Sequence, residues 1–331
     1  MRIDVILPTF NRATLLERTL ESLRLAERPD GLDVHVLVVD NASTDATRAL
    51  VHAHMNRFEG RLHYLFEPTP GKPHALNAGI AATGGDLIGL IDDDEEIAAD
   101  WFTVIRRQFD ERPELDFIGG KCLPRWEAPR PEWLGSQYLG VIGWVDPGPQ
   151  QQVMDERYQG MLMGGNAVIR RRTLERAGPY SAALSRTGTG LLGCEDEDMY
   201  HRLLAQGARG LYVPELIIFH YVPAGRLDKR YFRRWCFWRG VSQGVMDRNH
   251  PADLPYLLGV PRYQVGRALR GATRILADTF RMRPRTSADR FADELAWWDL
   301  SGFFWGKHAY RRRTLQRPTA NPEPATARRI V

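Results

Sequence analysis

Leu87-Ile88-Gly89-Leu90-Ile91-Asp92-Asp93-Asp94 is a short apolar run closed by three carboxylates. It has the length of a buried strand rather than a helix. Three similar runs precede it: Ile3 to Leu7, ended by Pro8; Val34 to Val39, closed by Asp40-Asn41; and Leu62 to Phe66, followed by the Pro68–Gly71 turn. Between them the spacing turns helical. Leu15, Leu16, Leu20 and Leu23 follow the first run, and residues 47–52, capped by Ser43 or Thr44, follow the second. Residues 75–82 follow the third and stop at Gly84-Gly85, and Trp101 to Phe109 follows the fourth. Strand and helix alternate four times in about 110 residues, which predicts an α/β fold with a mostly parallel sheet flanked by helices. Such sheets bind ligands beyond the carboxyl ends of their strands, and Asp40 and Asp92 to Asp94 fall there.

Further along, residues 123–160 are rich in Pro, Gly and Trp and read as a long ordered loop or lid over a site. Met161 to Ile169 resumes a strand-like run, Asp196 to Gln206 is helical, and Tyr212 to Tyr221 is extended but broken by Pro214. Beyond Leu227 the chain becomes helical and basic. Tyr231, Trp235, Trp238 and Val245 line one helix face, with Phe232 and Val241 at its margins and arginines around it. Helical spacing favours packing of this stripe on the body; its arginine flanks make peripheral contact with an anionic membrane the other reading. The expected division is a catalytic domain over 1–221, a helical annex over 222–311 and a disordered tail over 312–331.

The chain has 331 residues, 43% hydrophobic and 26% charged, a balance that excludes disordered, collagen-like and repeat architectures. Its three cysteines share no short spacing, which speaks against a disulfide framework or a Cys-rich zinc site. Met1-Arg2 leads straight into a strand, without the apolar core of a signal peptide, and no apolar run reaches the roughly 18 residues of a spanning helix. The expectation is a cytoplasmic protein, with a peripheral place at the inner membrane face as the alternative. Residues 1–220 carry 23 basic and 32 acidic side chains, a net of −9, while residues 221–331 carry 22 and 9, a net of +13. An acidic body with a basic end does not suit nucleic acid, whose ligand surface must itself be positive.

Two acidic clusters carry the chemistry. Five adjacent acids, Asp92 to Glu96, repel one another unless a cation is present, and hard divalent ions take carboxylate oxygens. Strand alternation would put Asp92 and Asp94 on one side, one for a sugar or ribose hydroxyl and the other for a metal. The competing reading, acids at a helix N-terminus, suits Glu95 and Glu96. About 100 residues later, Glu195-Asp196-Glu197-Asp198 opens a helix; a carboxylate here can serve as general base, against the same first-turn reading. His220 either completes a metal site or is an edge histidine satisfied by its neighbours. Lys72, at a helix start, is placed for a phosphate or a base carbonyl, or is a surface cap.

Together these stretches resemble the family 2 glycosyltransferases, with the A-type, Rossmann-like nucleotide-sugar-binding fold. Val5 to Arg12 resembles the family's opening strand and turn, and Val38 to Asp45 its second, with Asn41 in place of a second aspartate. Gly71 to Gly79 resembles Gly-x-x-x-Ala-x-Asn-x-Gly, Asp92 to Asp94 the Asp-x-Asp motif, Gly164-Gly165-Asn166 an acceptor-side stretch, and Glu195-Asp196 the motif that supplies the base. The resemblance covers about residues 1–221. It implies that Pro8, Thr9, Asn11, Asp40, Lys72, Asn77, Asp92 and Asp93 border the nucleotide sugar, a UDP-sugar by default. It further implies that Asp94 and His220 hold Mn2+ or Mg2+, that Asp196 deprotonates the acceptor hydroxyl with Glu195 beside it, and that Trp101 and Asn166 shape the acceptor side. The acceptor would be a glycan or a lipid-linked sugar, and in-line attack would invert the anomeric centre. A sugar nucleotidyltransferase is the rival enzyme reading, although a Gly-rich, Lys/Arg-bearing phosphate loop near the N-terminus is missing. A non-catalytic carbohydrate-binding scaffold is the other rival, and a dehydrogenase lacks its Gly-x-Gly-x-x-Gly.

Overall fold

The computed structural model describes residues 1–182, 195–249, 251, 253–278 and 286–310. The four expected strands are β1 (Arg2–Thr9), β2 (Asp33–Asp40), β3 (Leu62–Phe66) and β4 (Leu87–Leu90), joined through α1 (Ala13–Leu25), α2 (Thr47–Met55) and α3 (Lys72–Ala82). After them come β5 (Glu95–Ile97), α4 (Trp101–Glu111), β6 (Phe117–Trp126), β7 (Gln152–Met154), β8 (Ala167–Arg170), α5 (Arg171–Ala177), α6 (Glu195–Ala205) and β9 (Gly210–Val222). One sheet takes them in the order β3-β2-β1-β4-β8-β6-β9-β5, with β7 also on β9. The first four strands are parallel, so Thr9 lies beside Asp40 and the segment after β4 emerges at the same edge. The far half is mixed: β8 runs against β4 and β6, and β5 against β9.

Alternation along β1 sends Ile3, Val5 and Leu7 to one side, against Leu16 and Leu20 of α1 and Phe102 and Ile105 of α4. Ile6 points to the other side, against Leu76 of α3 and Met199 and Leu203 of α6. Both faces are thus covered by helices, which is why the strands read as nearly continuous apolar runs.

Pro214 does not break β9. Gly120 pairs with Val213 and Lys121 with Ile217, so residues 214–216 form a bulge. A Cβ on Gly120 would overlap the Leu216 carbonyl oxygen. Asn166 clamps the bulge by donating to the carbonyls of Lys121 and Leu216, both at 2.9 Å, and accepts from Trp101 Nε1 at 2.9 Å. The strand-like reading of 161–169 shrinks accordingly: only β8 is extended, and a 3-10 turn at Gly164–Asn166 precedes it.

The 123–160 stretch is partly β6 and β7. Leu134 and, from the 3-10 segment Ser136–Ile142, Tyr138 and Ile142 pack in one cluster with Val222, Phe232 and Leu295, so much of the expected lid joins the body to the annex. The annex comprises α7 (Lys229–Asn249), a hairpin of β10 (Tyr256–Leu257) and β11 (Val260–Pro261), α8 (Arg262–Asp278) and α9 (Ser287–His308). Helices α7 and α9 run parallel and nearly touch through glycines: a Cβ on Gly240 or Gly244 would strike the α9 backbone, and one on Gly302 or Gly306 that of α7. The wholly buried side chains of α7 are Phe232, Cys236, Val241 and Ser242; of the expected stripe Val245 is buried, while Tyr231, Trp235 and Trp238 are half-buried, so the packed face is rotated from the one the spacing suggested. Among the described residues no helix is long and apolar enough to cross a membrane. The expected disordered tail, 312–331, lies outside the described residues.

Candidate active site

The acids after β4 sit in a turn, not on a strand, so simple alternation does not orient them. Asp93 turns inward, accepting from Thr9 Oγ1 at 2.8 Å and from Arg12 Nη1 at 2.9 Å. Burial raises its pKa to about 6 against the pull of Arg12. Asp92 turns to α3 and ion-pairs with Lys72 at 2.6 Å. Glu95 and Glu96 belong to strand β5, and α4 starts only at Trp101, which removes the helix-terminus reading. Glu95 is buried beneath the turn and accepts the Asp92 N–H at 2.8 Å. Burial, then the charges of Asp92 and Asp94, push its pKa well up.

Asp94 meets His220 because β5 pairs with β9 in a register that sets Glu95 opposite His220. Asp94 Oδ2 lies 3.5 Å from His220 Nε2, 2.9 Å from Arg12 Nη1 and 3.5 Å from Arg226 Nη2. Burial alone would raise the Asp94 pKa, but the His220 hydrogen bond and the two arginines hold it well below the usual carboxylate range. His220 Nδ1 is buried without a hydrogen-bond partner and faces Gly143, where a Cβ would crowd it. Gly143 has φ +79°, a conformation that favours glycine as well. Among the described residues no three His, Cys, Asp or Glu side chains form a closed metal site. Asp94 Oδ2 and the His220 imidazole converge and are donor types that suit an open divalent-ion site, but Arg12 and Arg226 contact the same carboxylate oxygen, and Arg226 Nη1 also lies 3.2 Å from His220 Nε2.

Asp196 lies in the first turn of α6 against the Gly164 turn. A Cβ on Gly164 would fall inside the Asp196 carboxylate, and one on Gly165 inside that of Glu95. Asp196 Oδ1 is buried without a hydrogen-bond partner. Burial raises the Asp196 pKa to about 7, opposed by Lys72 and reinforced by Glu195 and Asp92. Lys72 is the common neighbour of both acid clusters: burial would lower its pKa, but Asp92, Asp196 and Glu195 together raise it well above normal. The two clusters, about 100 residues apart in the chain, therefore meet around Lys72 and the Gly164–Gly165 turn.

The remaining predicted residues hold backbone. Asn11, at φ +53°, accepts from the Thr44 and Asp45 amides and ties the first turn to the second. Pro8 is buried in β1. Both Asp40 oxygens are engaged, one by the Ser43 amide at 2.8 Å and the other by the Tyr64 hydroxyl at 2.7 Å. Asn41 accepts from the Gly71 amide and donates to the Glu67 and Thr69 carbonyls, fixing the entrance to α3. Asn77 exchanges two hydrogen bonds with the Tyr180 backbone. Trp101 and Asn166 are wholly buried, with their polar groups on protein partners, so neither side chain is open to a ligand. The sequence reading gave no role to Arg12, Arg226 or Gly143, and assigned Glu95 to a helix N-terminus. Arg12 stands in the quoted opening turn; nothing local marks Arg226, which joins the site only because β9 delivers it beside Asp94.

Residues 4–178 match the family described as Glycosyl transferase family 2. Glucosyl-dolichyl phosphate glucuronosyltransferase of Haloferax volcanii is 23% identical over 254 residues, 76% of this chain and 79% of that protein. Succinoglycan biosynthesis protein ExoM of Rhizobium meliloti is 24% identical over 254 residues, 74% of each chain. Among solved structures, mannosyltransferase PcManGT from Pyrobaculum calidifontis, in complex with GDP-Man and Mn2+, superposes with a TM-score of 0.60 at 20% identity, covering 92% of this chain and 86% of that one, a likeness of fold. With more than half its length matched by the family, and the acidic clusters gathered at the carboxyl edge of the sheet, this chain belongs to glycosyl transferase family 2.

Proposed function

We propose that the protein transfers a sugar from a nucleoside-diphosphate sugar, UDP-linked by default, to a hydroxyl of a glycan or lipid-linked acceptor, with inversion at the anomeric carbon. One observation carries this reading: the adjacent glycines Gly164 and Gly165 seat the Asp196 and Glu95 carboxylates, and Lys72, paired with Asp92, lies within the field of Asp196, so a donor-binding acid and a candidate base come together. The names of the relatives, one acting on a dolichyl phosphate sugar and one in succinoglycan biosynthesis, support the acceptor class.

In this reading Asp92 and Lys72 border the ribose and the donor sugar, and the Arg12 and Arg226 guanidiniums face the diphosphate. Asp94 and His220 would hold Mn2+ or Mg2+, which supplies neutralisation of the charge that develops on the leaving diphosphate. Asp196, poised near neutrality, accepts the proton of the acceptor hydroxyl as that oxygen attacks the anomeric carbon from the face opposite the diphosphate. Glu195 is buried beside it and sustains the local negative field. The close seat of Asp196 on Gly164 fixes the base without a flexible tether. A carbohydrate-binding scaffold would have no need of such a seat, which argues against the non-catalytic alternative.

Asp196→Asn tests the assignment. Transfer, followed as nucleoside diphosphate release over a panel of nucleotide sugars and acceptors, falls by about a thousandfold or more. Nucleotide binding by calorimetry stays within about threefold, because the base does not contact the diphosphate. Retained transfer in this variant would overturn the role of Asp196.

A further inference from the structure

Helix α8 has its polarity reversed for a helix packed on a protein surface. Toward α9 it turns Gln264, Ala268 and Gly271, together with the ion pairs Arg267–Asp299 at 2.6 Å and Arg274–Asp293 at 2.9 Å. Away from α9 it shows Leu269, 53% exposed, and Leu276, 66% exposed. Val265, Leu269, Ala272 and Leu276 recur at the spacing of one helical stripe, and exposed Arg262 and Arg270 border it. Among the described residues nothing covers Leu269 or Leu276.

The hairpin leading into α8 repeats the anomaly. Its turn is Leu258-Gly259, with φ +50° and +75°. A branched aliphatic side chain in the left-handed region is strained, and Asn or Gly would ordinarily stand there. Leu258 is nevertheless 80% exposed at the tip, with Leu257 at 48% beside it. The hairpin is fixed to the start of α8, since the Arg262 amide donates to the Pro255 carbonyl at 2.9 Å.

Charge selects the occupant. Helix α8 carries Arg262, Arg267, Arg270 and Arg274 against Asp278 alone, a net of +3, so two copies brought together through this face would repel, whereas a surface of phosphates would attract it. Leucines on a stripe with arginines beside them match the boundary between acyl chains and anionic headgroups. We propose that the β10–β11 hairpin and the outer stripe of α8 dock on an anionic lipid bilayer, Leu258, Leu269 and Leu276 entering the acyl boundary and Arg262 and Arg270 meeting headgroup phosphates. The surface differs from the α7 aromatic stripe, which is packed against the body and α9. The inference stands apart from the transfer reading, because docking needs neither nucleotide nor acceptor.

Flotation of the full chain with phosphatidylcholine vesicles, with and without phosphatidylglycerol, tests it in nucleotide-free buffer. The protein should float with the anionic vesicles at low salt and dissociate as salt rises, and should stay behind with phosphatidylcholine alone. L269D/L276D should weaken binding by about tenfold or more, with an unchanged thermal melt because both side chains are exposed. Arg262→Glu with Arg270→Glu should weaken binding to the anionic vesicles in the same way, and provides a second route if the leucine variant folds poorly. Absence of flotation with phosphatidylglycerol overturns the proposal, as does flotation that neither variant alters. So does a lipid-free dimer in sedimentation that L269D/L276D dissolves, which would assign the face to a second copy.

Discussion

Gly164 and Gly143 each hold open space that a candidate site side chain occupies, Asp196 at the one and His220 at the other. A methyl group on Gly164 would displace the Asp196 carboxylate. Gly164→Ala is therefore expected to cut transfer by about a hundredfold or more while nucleotide binding by calorimetry stays near the parent value. As the proposed base, the Asp196 carboxyl should set the acid limb of the pH profile. Burial raises it to about 7 and only the ionised form accepts a proton, so kcat/KM rises with pH and is half-maximal near that value. Lys72 pulls the Asp196 pKa down. Lys72→Met should accordingly move the limb to higher pH as well as weaken donor binding, and a limb that stays put would separate Lys72 from the base. Asp196 was legible in the sequence as an acid opening a helix. Its raised pKa was not, because desolvation depends on what packs around a carboxyl.

At the scale of elements, the β6–β9 pair and the Gly164 turn form one unit around Asn166. Three hydrogen bonds converge on that amide, two of them fully buried, from Trp101 Nε1 and to the Lys121 and Leu216 carbonyls. Asn166→Ala leaves all three groups unpaired and should cost about 3–5 kcal/mol, read as a shift in the urea unfolding midpoint. The loss exceeds that of an ordinary surface substitution because the clamp holds the Leu216 carbonyl of the bulge and the Lys121 carbonyl of the facing strand. The sequence marked Pro214 as a break, whereas the tertiary structure absorbs it as a bulge. The annex shows a similar difference: spacing placed an aromatic stripe on α7, but close glycine contacts with α9 rotate the buried face to Phe232, Cys236 and Val241.

Across the whole molecule, the first turn, the β4–β5 turn and the end of β9 meet at Asp94, so ligand effects there report on the fold as well as the chemistry. Removal of divalent ions with a chelator should abolish transfer, and Mn2+ or Mg2+ should restore it; activity that survives exhaustive chelation would assign charge neutralisation to Arg12 and Arg226 instead. The β1–β4 alternation, the acids at the carboxyl ends and the basic C-terminal region were all readable from the chain. Strand and helix periodicities are local, and a net charge needs no coordinates. The Asp94–His220 pair, the approach of Arg226 and the meeting of Asp92, Lys72 and Asp196 in one cleft were decided by the three-dimensional structure alone. They depend on the register of β5 on β9 and on the packing of α6 against the Gly164 turn, contacts between segments too far apart in the chain for any local pattern to encode.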